Sequence, residues 1–339
     1  MSKKNTNVPN LKSEFKKNKR ILDTYSTFKN NIIQLRNKSL LIAVSGGGDS
    51  LALCALIKYF QQENKNKIFF VLIDHKIRKN SKEEALAVKK LLKKNKISLK
   101  ILNNKEKIKN NFQSKAREIR YNLLIKFCKK NNVKHILTAH HSDDQVETFL
   151  IRLSRGSGVQ GLSAMKITSK LDKKIFLIRP LLDIKKKDLL YISKKIFGKI
   201  FNDPSNKNTK YLRTRVRNLK KALEKSGIHH NQIIKSIKNL ASTTETLNNY
   251  IASVYKINVK TKKNLTLINF KNISFETLEI QIKILSEAIK IFSKSYYPPR
   301  SKKVINIINR LNLHKQKKFT LSGCVIKKLG NYLSIAKEA

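Results

Sequence analysis

The segment LLIAVSGGGDSLAL, residues 40–53, carries residues suited to holding a phosphate group. Three glycines, Gly46, Gly47 and Gly48, follow five apolar residues and Ser45, and they precede an aspartate and a serine. Glycine has no Cβ, so backbone N–H groups can come close to phosphate oxygens, and the N-terminus of a following helix attracts the same negative charge. The spacing fits neither GxGxxG nor GxxxxGK[ST]. A phosphate site of another kind is therefore predicted, with a simple tight turn as the alternative.

Two further segments supply groups that titrate or bind cations. The segments IDHKIR and TAHHSDDQVETFL each follow an apolar run, and their candidates are Asp74, His75, His140, His141, Asp143 and Asp144. Acidic residues are scarce in this chain, and clusters of polar groups tend to mark functional sites. We therefore favour a functional role for HHSDDQ over a helix cap at Ser142 or Asp143. A zinc site is not indicated, because no HExxH motif or distant Cys/His partner is present.

These segments need elements that bring them together. Runs rich in β-forming residues alternate with helical patterns, and the strand candidates are 40–44, 68–74, 97–102, 134–139 and 176–181. The helical patterns cover about 50–63, 81–95, 114–131, 143–154 and 185–197. This alternation predicts an α/β fold with a doubly wound, mostly parallel sheet and helices on both faces. In the strand order 3-2-1-4-5 the three candidate segments converge where the order reverses, which is where ligands bind.

The pattern changes towards the C-terminus. Helical segments follow residue 230, and the sequence KFTLSGCVIKKLGNYLSI then predicts a β-hairpin. We therefore predict a basic N-terminal extension at 1–36, a catalytic domain at 37–220 and a smaller, basic, helical domain at 230–339. The boundary between the two domains is placed between about 215 and 232.

Composition narrows the classes of partner. The chain has 339 residues, with 74 Lys and Arg against 22 Asp and Glu, a formal net charge of +52. Such a charge suits a polyanion and predicts nucleic-acid binding, although a composition rich in Lys, Asn and Ile also reflects codon usage. The three cysteines, Cys54, Cys128 and Cys324, are far apart, so no disulfide framework or thiolate metal site is predicted, and a reducing cytoplasm fits. No signal peptide or membrane span is predicted, and we expect a soluble protein.

Several motifs together carry a family resemblance. SGGGDS resembles the SGGxDS loop of the N-type ATP pyrophosphatases (PP-loop enzymes), which activate a substrate carbonyl as an adenylate and release pyrophosphate. Together with IDHKIR and TAHHSDDQVETFL, five further motifs make the chain similar to the tRNA(Ile)-lysidine synthases over about 40–220, and more loosely beyond. These motifs are QSKAREIRY (113–121), RLSRGSGVQGLSAM (152–165), IRPLL (178–182), NDPSN (202–206) and YLRTRVR (211–217). The resemblance implies an adenine nucleotide alpha hydrolase-like fold.

The resemblance also implies a reaction. An ATP-dependent ligase would join L-lysine to the first anticodon cytidine of CAU-bearing tRNA(Ile) through an adenylated cytidine, with Mg²⁺, and 230–339 would bind the tRNA. The implied phosphate-binding residues are Ser45, Gly46, Gly47, Gly48, Asp49 and Ser50, and the implied metal ligands are Asp49 and Asp144. The implied catalytic residues are Asp49, Asp74, His140, Asp143, Asp144, Arg117 and Arg213. Whether Asp74, Asp143 and Asp144 meet the metal or the lysine ammonium stays open.

The roles of the arginines have alternatives as well. Four arginines are candidates for phosphate or oxyanion contacts, and they are Arg117, Arg120, Arg152 and Arg155. Arg213, Arg215 and Arg217 share one face if the segment is extended and spread apart in a helix.

Two other functions compete with the ligase. One is that of a thiolating relative, which would need an exposed cysteine in a positive environment. The other is an RNA-binding protein without activity. The sequence leaves the oligomeric state open, a homodimer included.

Overall fold

The chain divides into two compact units, Met1–Leu240 and Ala241–Ala339. The computed structural model describes residues 11–76, 80–104, 106, 112–201, 209, 211–295, 298–313 and 318–338, so the motif NDPSN lies outside the described residues. The division falls inside a 29-residue helix, His230–Asn258, and not in the predicted region 215–232. The reason is packing, because Ile233 and Ile237 near the start of this helix are buried against Ala164 of the first unit.

A six-stranded sheet with the order β3-β2-β1-β4-β6-β5 forms the centre of the first unit. Its strands are β1 (Ser39–Val44), β2 (Lys67–Asp74), β3 (Leu99–Asn103), β4 (His135–Leu137), β5 (Thr168–Asp172) and β6 (Ile175–Ile178). All pairs are parallel except β5 with β6. The predicted doubly wound, mostly parallel sheet is confirmed, and the predicted fifth strand is β6. The edge strand β5 was not predicted, because its sequence TSKLD is short and polar.

Helices cover both faces of this sheet. They are α1 (Leu11–Lys17), α2 (Lys19–Ile32), α3 (Gly48–Glu63), α4 (Ser81–Lys94), α5 (Phe112–Lys130), α6 (Ser142–Leu153), α7 (Val159–Leu162), α8 (Lys186–Phe197) and α9 (Leu212–Lys225). Successive side chains of a strand point to opposite faces. In β1, Leu40 and Ile42 join the core formed with α2, α3 and α8, whereas Leu41 joins a second core with Leu124 and Cys128 of α5.

Residues 11–35 of the segment predicted as a basic N-terminal extension contribute to the larger core instead. Phe15 of α1 and Phe28 of α2 are fully buried, and the Phe15 ring stacks on Tyr59 of α3 with the ring centroids 4.3 Å apart. The lysines and asparagines of this segment dominate its composition, but Ile21, Phe28 and other apolar residues recur at helical spacing on α2. That spacing gives the helix one apolar face, which packs on the sheet layer.

The second unit combines helices with a five-stranded antiparallel sheet of order β7-β8-β11-β10-β9. Its strands are β7 (Val259–Thr261), β8 (Thr266–Asn269), β9 (Lys318–Leu321), β10 (Cys324–Leu329) and β11 (Tyr332–Lys337). The helices are the end of α10 (His230–Asn258), α11 (Phe270–Ser274), α12 (Leu278–Ser293) and α13 (Ser301–Asn312). The predicted terminal hairpin is β10 with β11, and β8 and β9 extend it on either side. No described helix is long and apolar enough to span a bilayer.

The packing of α2 leads to a stability prediction. We expect Phe28→Ala to lower the free energy of unfolding by about 3–5 kcal/mol, because it deletes a fully buried ring from the core. Leu22→Ala on the same helix is the matched control, since Leu22 is 42% exposed and should cost less than about 1 kcal/mol. Urea unfolding followed by circular dichroism measures both. Equal, small effects of the two substitutions would mean that α2 is not part of the core.

Candidate functional site

The loop between β1 and α3 has the shape expected of a phosphate cradle. Gly46 has a left-handed backbone with φ +85°, and Gly47 is the N-cap of α3 with φ −67° and ψ 159°. The buried hydroxyl of Ser50 holds the loop from inside. It accepts from the Ser45 N–H at 3.2 Å and the Ser45 hydroxyl at 3.1 Å, and it donates to the Gly47 carbonyl at 2.9 Å. The first N–H groups of α3 have no partner within the helix, and they are the groups that bind anions in such loops.

The three glycines are needed for different reasons. A Cβ on Gly46 would lie 2.6 Å from Val88 Cγ2, and a Cβ on Gly48 would lie 2.5 Å from Leu190 Cδ2 of α8. These two glycines permit close packing under the loop. A Cβ on Gly47 would meet only Ser45 Oγ, at 3.7 Å. Gly47 therefore faces open space, which a side chain would fill and which a phosphate group suits.

His141 joins this loop to the start of α6. The imidazole is buried and caps α6, with Nδ1 accepting the Asp144 N–H at 3.4 Å while Asp144 Oδ2 accepts the His141 N–H at 3.1 Å. These two bonds form a capping box. The other ring nitrogen, Nε2, lies 3.5 Å from Asp49 Oδ2 and 3.6 Å from Asp144 Oδ2. One imidazole thus contacts a carboxylate of the glycine loop and a carboxylate of α6.

Helix α9 places cations on the carboxylates of α6. Arg213 donates to Asp144 at 2.9 Å and to Glu147 at 2.7 Å, and Arg217 donates to the other oxygen of Glu147 at 2.5 Å. Lys220 lies 3.0 Å from Asp143. Because α9 is a helix, Arg213 and Arg217 share a face through their i, i+4 spacing. Arg215 points elsewhere, and its guanidinium lies 3.4 Å from the Thr209 carbonyl.

The electrostatic surroundings set the charges of these groups. Burial lowers the pKa of His140 to about 4, and the guanidinium groups of Arg179 and Arg117 add to that effect, so this imidazole is neutral near pH 7. Burial also opposes the charged form of His141, but its contact with Asp49 and the charge of Asp144 outweigh burial and raise the pKa. Burial likewise opposes ionisation of Asp143, yet the Lys186 N–H and Lys220 bring its pKa to about 2. Burial opposes ionisation of Asp144 too, but the charges of His141 and Arg213 lower its pKa, so both aspartates are carboxylates at neutral pH.

The remaining predicted residues lie outside this cluster of contacts. Asp74 is buried at the end of β2 and accepts the Lys76 N–H at 2.9 Å. Among the described residues, no hydrogen bond or ion pair joins it to Asp49 or to the acids of α6. Arg117 is exposed, with its guanidinium 5.0 Å from the centre of the Tyr121 ring. Arg152 donates to the carbonyls of Gly161 and Ala164, so it holds the backbone after α6.

Three other predicted positions have different surroundings. His140 lies next to the cluster, with Nδ1 2.9 Å from Thr138 Oγ1. Arg155 is exposed in the turn after α6, and Arg120 lies on α5. The roles predicted for these residues stay predictions.

Glu147 belongs to the group of charged side chains on α6 and α9, although it was not among the predicted site residues. Its carboxylate is buried and bonds both Arg213 and Arg217. The available signal was spacing, because Glu147 lies three residues after Asp144 on a predicted helix and therefore on the same face. The YLRTRVR motif favours Arg213 and Arg217 over other arginines, and their i, i+4 relation on a helix is the signal that they share a face.

Asp49 has an acceptor suited to a metal ion. Its Oδ1 atom is buried and has no hydrogen-bond partner among the described residues. Mg²⁺ is often bound through one or two carboxylates together with substrate phosphates, so one such oxygen beside a phosphate loop fits it. Both oxygens of Asp144 are engaged by Arg213 and by the His141 cap. The described residues contain no group of three His, Cys, Asp or Glu that would hold a metal by themselves.

Comparison with known proteins identifies the family. A family model described as a PP-loop domain matches residues 17–223. The tRNA(Ile)-lysidine synthase of Wolbachia pipientis wMel is 38% identical over 314 residues, covering 89% of this chain and 71% of the relative. The chain belongs to the tRNA(Ile)-lysidine synthase family. The synthase of Orientia tsutsugamushi (strain Boryong) is 35% identical over 316 residues, covering 89% of this chain and 70% of that relative.

Family membership confirms the resemblance deduced from the motifs and the prediction of an ATP-dependent ligase with a PP-loop domain. Among solved structures, the fold of this lysidine synthase family member is similar to that of the U34-tRNA thiolase from Methanococcus maripaludis. The TM-score is 0.56 at 20% identity, covering 66% of this chain and 80% of the thiolase. That likeness shows the shared fold alone.

The environments of the glycines make a prediction about the loop. We expect Gly47→Val to weaken ATP binding at least about ten-fold, because the new side chain would occupy the open space that suits the phosphate. The free energy of unfolding should fall by only about 1 kcal/mol, because the substitution replaces a favourable N-cap residue of α3 without creating a clash. Gly46→Ala should instead lower the free energy of unfolding by about 1–3 kcal/mol, since its backbone is left-handed and its Cβ would overlap the buried Val88. Calorimetric ATP titration and thermal unfolding measure the two quantities. Unchanged ATP affinity in Gly47→Val would contradict the phosphate assignment.

Proposed function

We propose that this enzyme uses ATP to join L-lysine to the first anticodon cytidine of CAU-bearing tRNA(Ile), releasing AMP and pyrophosphate. The observation that carries the proposal is the contact of His141 with both Asp49 of the phosphate loop and Asp144 of the α6 acids, in a chain of this family. The contact brings a nucleotide-binding loop and a cation-binding group of carboxylates to one end of the sheet. A reaction between an activated base and a cationic amino acid needs both.

The first step is activation of the base. The 2-keto oxygen of cytidine attacks the α-phosphorus of ATP, and pyrophosphate leaves as the bond between the α-phosphate and the bridging oxygen breaks. The N–H groups at the start of α3 and the space over Gly47 support placing the triphosphate on residues 45–50. When bound, Mg²⁺ would neutralise charge on the phosphates, and Asp49 Oδ1 is the atom that fits it.

The second step is attack by lysine. The lysine ammonium first loses a proton to solvent. The neutral amine then forms a bond to C2 of the base, and AMP leaves with the former keto oxygen. The carboxylates of Asp144 and Glu147 support a site for the lysine ammonium, since they already bind two guanidinium groups at 2.5–2.9 Å. Lysine would share these carboxylates with Arg213 and Arg217. Holding the amine beside the activated carbon supplies proximity, which lowers the barrier without new chemistry from the protein.

The charge of the chain supports RNA as the other substrate. The anticodon loop presents single-stranded bases, which proteins can reach without opening a duplex. A net charge of +52 gives the long-range attraction that a polyanion requires. We assign tRNA binding to basic residues of both units, including 230–339.

The environments of the cysteines argue against a thiolating activity. Cys54, Cys128 and Cys324 are all buried, and burial raises the pKa of each thiol, in Cys128 to about 12. A sulfur-transfer enzyme that uses its own thiols needs them as accessible thiolates. The ligase is therefore the better supported function.

One assay tests the proposal directly. Purified enzyme with radiolabelled ATP and CAU-bearing tRNA(Ile) transcript should release AMP and pyrophosphate in amounts matched to lysine incorporated into the RNA. Leaving out lysine should stop turnover, and a tRNA transcript with the anticodon CAC should not replace the substrate. Nucleotide release that depends on a sulfur donor and not on lysine would support the thiolase instead. No release under any of these conditions would favour a non-catalytic RNA-binding protein.

The assignment of Asp144 to lysine predicts separation of the two steps. We expect Asp144→Asn to adenylate the tRNA but to need at least about ten-fold more lysine, because Asn keeps an oxygen for the His141 cap while the negative charge that would hold the cationic substrate is lost. The matched control is Asp183→Asn, whose carboxylate pairs with Lys238 at 3.0 Å away from the cluster and should leave both steps near normal. Gel separation of adenylated tRNA measures the first step. If adenylation and ligation fall together and excess lysine does not help, Asp144 serves the first step instead.

A further inference from the structure

His141 has two ring nitrogens with separate tasks. Nδ1 faces the Asp144 N–H at 3.4 Å and belongs to the cap of α6. A backbone N–H can only donate, so in the neutral ring Nδ1 is the acceptor and the proton is on Nε2. The cap therefore fixes the tautomer, as partner bonds do for other histidines.

The Nε2–H points between two carboxylates. Asp49 Oδ2 is 3.5 Å away and Asp144 Oδ2 is 3.6 Å away. The imidazole side chain is only 2% exposed, so these contacts are shielded from water and are stronger than the same contacts at the surface. The Asp144 carboxylate has other donors in Arg213 and the His141 N–H. Among the described residues, His141 is the side chain found within ion-pair distance of Asp49, so it is placed to orient that carboxylate.

Orientation of Asp49 matters because its two oxygens are not equivalent. Oδ2 faces His141, and Oδ1 is buried and has no partner among the described residues. A buried acceptor without a partner costs stability unless a ligand supplies one. Holding Oδ2 fixes the plane of the carboxylate and with it the direction of Oδ1.

We propose that His141 is a positioning residue whose Nε2–H holds Asp49 Oδ2 and thereby presents Oδ1 to the Mg²⁺–triphosphate. The inference rests on the proposed function only in taking ATP as the nucleotide, and it goes beyond that function in assigning His141 a task separate from capping. The same N–H lies 3.6 Å from Asp144 Oδ2. His141 therefore contacts both Asp49, on the side proposed for the nucleotide, and Asp144, on the side proposed for the lysine amine.

Two substitutions separate the two tasks. The amide oxygen of Asn lies near the position of Nδ1, so His141→Asn keeps an N-cap acceptor and removes the Nε2–H. The amide nitrogen of Gln reaches close to the position of Nε2, so His141→Gln keeps a donor towards Asp49 and weakens the cap. His229→Asn is the matched control, because His229 is exposed and lies outside the cluster.

The measurement is binding of α,β-methylene-ATP at a series of Mg²⁺ concentrations, by calorimetry, with thermal unfolding of each variant. We expect His141→Asn to unfold within about 2 °C of wild type and to weaken the apparent affinity for Mg²⁺ about 10–100-fold, the usual cost of losing a group that orients a metal ligand. His141→Gln should unfold at a lower temperature and recover part of the Mg²⁺ affinity. His229→Asn should match wild type in both quantities.

Two results would overturn the proposal. One is wild-type Mg²⁺ dependence in His141→Asn, and the other is a loss of Mg²⁺ affinity in both variants that follows their loss of stability. Because this binding needs neither tRNA nor lysine, it is independent of the activity assay. A wild-type enzyme that binds the ATP analogue with Mg²⁺ but does not incorporate lysine would contradict the proposed function and leave the role of His141 standing.

Discussion

The contact between the buried His141 imidazole and the carboxylates of Asp49 and Asp144 is the interaction on which the geometry of the site depends. Asp49 belongs to the helix that follows β1, and Asp144 belongs to the helix that follows β4, so nothing in the backbone couples their side chains directly. The ring couples them because the α6 cap fixes its orientation. A surface ion pair would contribute little, but this contact is buried, where each polar group needs a partner.

Compensation of charge explains why α9 lies against α6. Asp144 and Glu147 are buried carboxylates in a chain with a net charge of +52, and burial of an unpaired charge is costly. Arg213 and Arg217 supply the compensation through charge-assisted hydrogen bonds of 2.5–2.9 Å. Arg213 remains 39% exposed, so the pairs are partly screened and their net contribution to stability is modest. Their chief consequence is positional, since they fix where the carboxylates point.

The glycine loop shows how packing and function divide among residues of one type. Gly46 and Gly48 allow Val88 and Leu190 to pack closely under the loop, whereas Gly47 leaves the outer side open. Ser50 turns inwards and fastens the loop to itself. The loop is therefore closely packed on the side of Val88 and Leu190 and open on the side of Gly47. A preorganised set of N–H groups of this kind binds an anion without reorganising, which is the property that phosphate transfer needs.

The sequence by itself determined the fold class, the order of the five parallel strands and the family. Hydrophobic runs such as LLIAV and the helical spacing between them are local signals, and SGGGDS and HHSDDQ are contiguous, so each could be recognised in isolation. Tertiary structure alone decided which side chains meet. The pairs of His141 with Asp49 and of Arg213 with Glu147 join residues 92 and 66 positions apart, and their distances follow from how α3, α6 and α9 pack. The basic composition of residues 11–35 also led to their prediction as an extension. Burial of a helix depends on its apolar face, however, and the basic residues on the exposed side of α2 do not prevent that face from packing in the core.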